Sequence, residues 1–354
     1  MQGRDDRMES VMKNILFHQR YIEIPWEKLQ NKKILITGAS GMIGSTLIRM
    51  LVEYTKREKA NIYITGISRN MSTAKKQLQD IMDVPEFMYI SADINIPLQD
   101  IGIFDYIIHC ASNTHPIQYS TDPIGTIMTN VLGTKNLLDY ASKYGVKRFI
   151  FLSSVEIYGE NRGDIEQFHE DYLGYINCNT LRSGYPEAKR LGESLCNAYA
   201  KQKGIDFVIP RLSRVYGPTL LDTDSKALSQ FIKKAANKAD IVLKSKGNQL
   251  YSYIYSEDAA AAILFLMLKG DSTCAYNVSD KNSIITLAEL AKKLAKIAGT
   301  EVIFELPNKE EKEGYSTVTK AVLDSSKIES LGWKAQIHID EGLKKTIEGY
   351  RKIV

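Results

Sequence analysis

The chain has 354 residues, a little over two domains at roughly 150 residues each. Its 44% hydrophobic and 25% charged residues are the make-up of a soluble globular protein with a sizeable core. Lys and Arg number 46 against 42 Asp and Glu, so bulk charge implies no nucleic-acid partner. No apolar run reaches the roughly 18 residues of a membrane span, and the N-terminus lacks a secretion-signal core. Cys110, Cys178, Cys196 and Cys274 lie far apart. They read as free thiols in a reducing cytoplasm, with no disulfide framework and no metal site.

In chain order, residues 1–30 form an N-terminal extension of mixed charge, with a helical stretch over 8–19. Ile22, Ile24, Pro25 and Trp26 read as a segment pinned onto a domain. The extension is either an arm covering a partner subunit or an ordered tail on its own domain. From Lys32 short apolar runs alternate with helical stretches. The runs are 32–37, 61–65, 86–91, 105–110, 148–153 and 206–212; the helices are 42–56, 72–82, 123–144 and 184–203. Parallel neighbours need such long return connections, and runs apolar throughout suit strands covered on both faces. The expected fold class is α/β: a Rossmann-type doubly wound parallel sheet over 31–215, followed by a smaller mixed α/β substrate domain over 216–354. In the latter a helix (225–237), a strand pair around 240–255 and helices at 286–298 and 340–352 are expected. The apolar stretch 256–268 reads as a buried helix returning to the first domain.

The first strand runs into Thr37-Gly38-Ala39-Ser40-Gly41-Met42-Ile43-Gly44 and then a helix. Gly38 suits the tight turn, Gly41 the approach of backbone N–H groups to a pyrophosphate, and Gly44 close packing of helix on strand. Ser40, Met42 and Ile43 complete this dinucleotide cradle. The spacing G-x-x-G-x-x-G resembles that of the extended short-chain dehydrogenase/reductase family. The second strand ends in Ser68-Arg69 with no carboxylate for the ribose hydroxyls of NAD. Arg69 beside Ser68 either holds the 2′-phosphate of NADP or is a solvated surface residue, so the cofactor is NAD or NADP, leaning to NADP. Asp93, followed by Ile94, matches the adenine-contacting acid of the resembled family; its alternative is a helix cap.

Tyr185-Pro-Glu-Ala-Lys189 is a Y-x-x-x-K motif, with both side chains on one helix face. A phenol is a poor base at neutral pH, and a nearby ammonium and a cationic nicotinamide favour its phenolate. Tyr199 and Lys203 repeat the spacing. Tyr185 is preferred because it follows Ser153-Ser154-Val155-Glu156 by about 30 residues, after the fifth strand, where Ser154 can orient a reacting hydroxyl.

The stretches 109–116, 130–138, 153–159, 182–190, 211–218 and 253–260, with 331–333 and 340–350, resemble the nucleotide-sugar epimerases, dehydratases and decarboxylases of that family. The UDP-glucuronate decarboxylases are the nearest subgroup. The resemblance implies that Tyr185 takes a proton from the sugar 4-hydroxyl while C4 is oxidised. It implies that Ala111, Ser112 and Asn130 line the cofactor cleft with Lys189, that Asn113 and Thr114 face substrate, and that the product serves surface polysaccharide precursors. It also implies a homodimer built through 123–144 and 184–203, with no nucleic-acid or membrane partner. Glu156 matches a carboxylate shared by dehydratases and decarboxylases, or is a structural acceptor.

Three positions depart from the resembled pattern. Val155 replaces the dehydratase acid, which disfavours 4,6-dehydration. Tyr251 stands where decarboxylases carry an arginine, and Arg214 stands where relatives carry asparagine. Arg214 either supplies the displaced charge to the substrate diphosphate or pairs with a neighbouring acid. The alternative activity is an NADPH-dependent reductase of a nucleotide-linked keto sugar or ketose.

Overall fold

The computed structural model describes residues 21–114, 116–305 and 318–353. The helix expected over 8–19 lies outside them. Residues 21–29 lie on the body of the protein through Tyr21, Ile24, Trp26 and Leu29, all buried, while Ile22 is 79% exposed. Ile22 therefore does not pin the segment as expected. Tyr21 takes the buried place, donating its hydroxyl to Asp258 Oδ1 at 2.8 Å and accepting Trp26 Nε1 on its carbonyl at 3.0 Å. Trp26 stacks on Tyr54 with ring centroids 4.7 Å apart.

The alternating region gives β1 (Lys33–Thr37), α1 (Met42–Glu58), β2 (Tyr63–Ser68), α2 (Met71–Leu78), β3 (Phe87–Ser91) and β4 (Tyr106–His109). It continues through α3 (Pro116–Thr121), α4 (Pro123–Tyr144), β5 (Arg148–Phe151), β6 (Ser153–Ser154), α5 (Gly184–Lys203) and β7 (Phe207–Leu212). The expected helices at 123–144 and 184–203 form with those bounds, because their punctuation is strong. Asp122 accepts Gly125 N–H at 3.0 Å ahead of Pro123. Gly145 and Gly204 end the two helices at φ +66° and +69°, the left-handed region that favours glycine.

Beyond β7 come β8 (Arg214–Tyr216), α6 (Ala227–Ala236), β9 (Ile241–Leu243), β10 (Leu250–Tyr255), α7 (Ser256–Lys269) and β11 (Cys274–Val278). The chain then forms β12 (Ile284–Thr286), α8 (Leu287–Ala298), β13 (Val302–Phe304), β14 (Lys320–Ala321), α9 (Ser326–Ser330) and α10 (Ile339–Ile353).

The main sheet runs β3-β2-β1-β4-β5-β7-β11, with β6 alongside β7, and every pairing is parallel. The expected doubly wound sheet is therefore present. β11 is an additional edge strand that the sequence rhythm did not announce. Strands β1 and β4 are neighbours, so chain connections leave β1 towards both sides, and a crevice opens at their carboxyl ends. Helix α7 is buried from Ser256 to Met267 and shares one apolar cluster with Ile34, Leu47 and Val208 under this sheet. Strands β9 and β10 both form but do not pair with each other, contrary to expectation. β9 pairs with β13, and β10 takes β8, β12 and β14 as neighbours. A second apolar cluster, including Phe231, Leu243, Leu290 and Leu343, holds α6, α8 and α10 against these strands.

Candidate active site

The turn after β1 is shaped by close backbone approaches. Gly38 sits at φ +69°, and a Cβ there would lie 2.8 Å from Ala111 N. A Cβ on Gly44 would lie 2.3 Å from Gly38 O, so α1 packs on the turn only without a side chain. Gly41 caps α1 without any side-chain bond to the first turn, and that turn carries no acid. Gly38, Gly41, Met42, Ile43 and Gly44 therefore present a bare helix N-terminus to a cavity of about 690 Å³. This cradle fits a pyrophosphate, because its donors and dipole are open and side-chain bulk is missing where backbone must come close. Ala111, on the facing loop, donates its N–H to Thr37 Oγ1 at 3.3 Å.

At the end of β2, Ser40 Oγ donates to Ser68 Oγ at 3.0 Å, and Tyr89 OH lies 2.9 Å from the same oxygen. Exposed Arg69 donates Nη2 to Asn113 Oδ1 at 3.2 Å. Asn113 is thereby turned to the β2 end and is not among the residues lining the cavity, whereas Thr114 is. Asp93 accepts the Asn95 N–H at 2.9 Å, which makes it a turn-forming residue in the protein alone. Ile94 is buried, and Gly133 of α4 admits it: a Cβ there would come within 2.7 Å of Ile94 Cδ1.

Ser154, at the end of β6, and Tyr185, in the first turn of α5, meet at the cavity. Ser154 and Ser112 stand beside the Tyr185 phenol, and both favour its charged form. Ser112 is itself oriented by Asn130, whose Oδ1 accepts its hydroxyl at 2.9 Å and whose Nδ2 donates to Thr126 O at 2.8 Å. Lys189 lies one turn further along α5, 3% exposed, and donates to Leu152 O at 2.7 Å. Burial pulls the lysine down from 10.5 to about 8, partly opposed by Cys110, Glu193 and Cys196. The phenol is displaced the other way. Burial and then the Glu156 charge push Tyr185 above its ordinary value, and the two serines offset only part of this. The expected phenolate bias from Lys189 is thus not present in the protein alone, because desolvation dominates at a buried site.

Several residues that no local pattern signalled complete the site. Tyr119 of α3 stacks on Tyr185, ring centroids 5.1 Å apart and planes 19° from parallel. Arg182 Nη2 lies 3.6 Å from Glu156 Oε2, and its guanidinium stands 5.8 Å from the Tyr119 ring. Behind the crevice, His109 bridges Thr37 at 2.8 Å and Thr134 at 3.1 Å, and burial holds it neutral. The second Y-x-x-x-K pair lies away from the cavity: Tyr199 donates to Asp139 at 2.6 Å, tying α5 to α4.

On the opposite wall, the Arg214 guanidinium lies 3.4 Å from the Tyr251 ring centroid. Among the described residues it has no salt bridge, so the acid pairing held open from sequence does not form. Ser153 Oγ, Ser213 Oγ, Arg214 Nη1 and Gln249 Oε1 belong to cavity-lining residues, and each is buried without a hydrogen bond. Buried polar atoms normally find partners; Arg214 itself is half-buried and lines the cavity.

The profile of the family described as NAD dependent epimerase/dehydratase matches residues 34–279, spanning both walls of the cavity. The chain belongs to this family. It is 33% identical to UDP-glucuronic acid decarboxylase 5 of Arabidopsis thaliana over 91% of this chain and 90% of that protein. It is 29% identical to UDP-glucuronic acid decarboxylase 1 of Xenopus tropicalis over 95% of this chain and 76% of that protein. The fold is shared with a Bacillus cereus UDP-glucuronic acid 4-epimerase solved with UDP-glucuronic acid and NAD: TM-score 0.76, 23% identity, 91% of this chain and 100% of that one. The resemblance read from the motifs therefore holds, and the protein is an NAD-dependent enzyme of the epimerase/dehydratase family. No helix among the described residues is long and apolar enough to cross a membrane.

Proposed function

We propose that the protein oxidises the C4 hydroxyl of a UDP-linked sugar, with a uronic acid such as glucuronate as the substrate type. The observation that carries this is the buried Tyr185 phenol, set beside Ser154 and Ser112 in the same cavity as the glycine cradle. Gly38, Gly41, Gly44, Ser112 and Lys189 hold the dinucleotide. When bound, the dinucleotide would supply reversible hydride acceptance at C4.

Ser154 orients the sugar hydroxyl and Tyr185 accepts its proton. Lys189, already lowered to about 8, supplies a labile positive charge behind this centre. Asn130 and Tyr119 fix Ser112 and the phenol ring, and water is excluded by the burial that raises the phenol. On a uronate, a C4 ketone makes the carboxylate a β-keto acid. The C5–carboxyl bond then breaks, its electron pair moves into the ketone, and CO2 leaves before C5 takes a proton. Glu156 and Arg182 line the same cavity, 3.6 Å apart. Buried Val155 offers no acid for loss of a 6-hydroxyl, so decarboxylation or C4 epimerisation is favoured over dehydration.

The test is incubation with UDP-, dTDP-, GDP- and CDP-sugars and either cofactor, read by mass. Loss of CO2 or isomerisation of a UDP-uronate is expected; no conversion of any UDP-sugar would overturn the reading. A specific observation favours a second reading, reduction of a keto sugar by NADPH. The β2 end offers three hydroxyls and an exposed guanidinium, with no carboxylate to repel a 2′-phosphate. Stoichiometric consumption of NADPH is its signature. Pairing into a homodimer through α4 and α5 is supported by exposed Ile124, Met128 and Leu132, four residues apart on α4, and Leu191 on α5.

A further inference from the structure

Arg214 opens β8 and Tyr251 lies in β10; the two strands are parallel neighbours, with Arg214 in register opposite Tyr253. Tyr251 is two residues earlier on the same face, so its ring lies beneath the guanidinium at 3.4 Å. The ring is fixed in turn, since Tyr251 is 7% exposed and donates its hydroxyl to Val318 O at 2.7 Å. The other arginine on this cavity already faces a carboxylate, Arg182 beside Glu156, and Lys226 stands 3.6 Å from Asp224. Arg214 has an aromatic face instead, and its buried Nη1 makes no hydrogen bond. A charged N–H held out of water without an acceptor is costly. Ser213 Oγ and Gln249 Oε1, on the same wall, are in the same condition.

We propose that Arg214, laid flat on Tyr251, is the anion-recognising residue of the cavity, its guanidinium donating to a charged oxygen of the sugar nucleotide. This rests on the sugar-nucleotide reading above. The oxygen belongs either to the diphosphate or to a uronate carboxylate, which share the chemistry a planar guanidinium recognises. Tyr251 positions the cation and keeps it from folding back onto solvent.

The test is calorimetric binding of UDP, UDP-glucose and UDP-glucuronate to the full chain and to Arg214→Ala, Arg214→Lys and Tyr251→Leu, each first matched to the parent in thermal unfolding. Arg214→Ala is expected to weaken binding roughly ten- to hundredfold. Arg214→Lys recovers part of the loss, and Tyr251→Leu weakens binding because the platform is gone. Equal weakening of all three ligands identifies the diphosphate; weakening of UDP-glucuronate alone identifies the carboxylate. Because the two side chains touch, the exchange Arg214→Tyr with Tyr251→Arg returns a cation to the same place and is expected to restore affinity. Unchanged affinity in folded Arg214→Ala overturns the assignment and leaves the functional reading standing. Parent protein that binds none of the three ligands overturns both.

Discussion

Replacing Lys189 by methionine is expected to abolish turnover and stabilise the fold. The lysine is 3% exposed and lowered from 10.5 to about 8. That displacement corresponds to roughly 3 kcal/mol of penalty on the charged form. Methionine removes the penalty, but it leaves Leu152 O without the 2.7 Å bond it accepts from Nζ, at a cost of about 1 kcal/mol. The net expectation at pH 7 is a gain of about 2 kcal/mol, or a rise of a few degrees in Tm. The sign with pH follows from which state binds the proton. Between about 8 and 10.5 the unfolded lysine holds a proton that the folded one has lost, so parental stability rises with pH. The penalty is complete below about 8 and gone above 10.5. Thermal unfolding of both proteins at pH 7 and pH 10 is the assay. A variant less stable than the parent at pH 7, or a difference that does not shrink at pH 10, would refute the reasoning.

Gly44→Ala places a Cβ 2.3 Å from Gly38 O; it should cost about 1–3 kcal/mol and weaken cofactor binding, seen as lower Tm and a higher Kd for NAD. Equal values would show that the turn tolerates a side chain. Arg69→Ala should weaken NADP about tenfold and spare NAD, measured by cofactor titration; equal effects on both would remove the 2′-phosphate role. Met128→Glu with Leu132→Glu should turn a dimer into a monomer in light scattering, since both side chains are exposed at 43% and 37%. A monomeric parent, or a variant that stays dimeric, would exclude this face.

Much of the fold was legible because its signals are local. The bounds of α4 and α5 follow from Asp122, Pro123, Gly145 and Gly204, each of which punctuates the backbone by its own stereochemistry. The glycine cradle and the spacing of Tyr185 and Lys189 are likewise properties of neighbours along the chain. β11 was not legible, because Cys274–Val278 becomes a strand by pairing with Val208–Leu212, far away in sequence. The strand β9 was expected, but its pairing was not legible: its partner is β13 and not β10.

The sequence by itself determined the chemistry on offer: a dinucleotide turn, a serine, a tyrosine and a lysine in one order. Only tertiary structure decided their electrostatic state and their company. Burial raised Tyr185 where the motif alone suggested a lowered phenol, because desolvation depends on what packs around the ring. Packing also brought Tyr119 onto Tyr185, and Arg182 beside Glu156. It laid Arg214 on Tyr251, turning two separate departures along the chain into one contact. Local spacing specifies backbone geometry, whereas charge, solvation and contact are sums over residues that meet only when the chain folds.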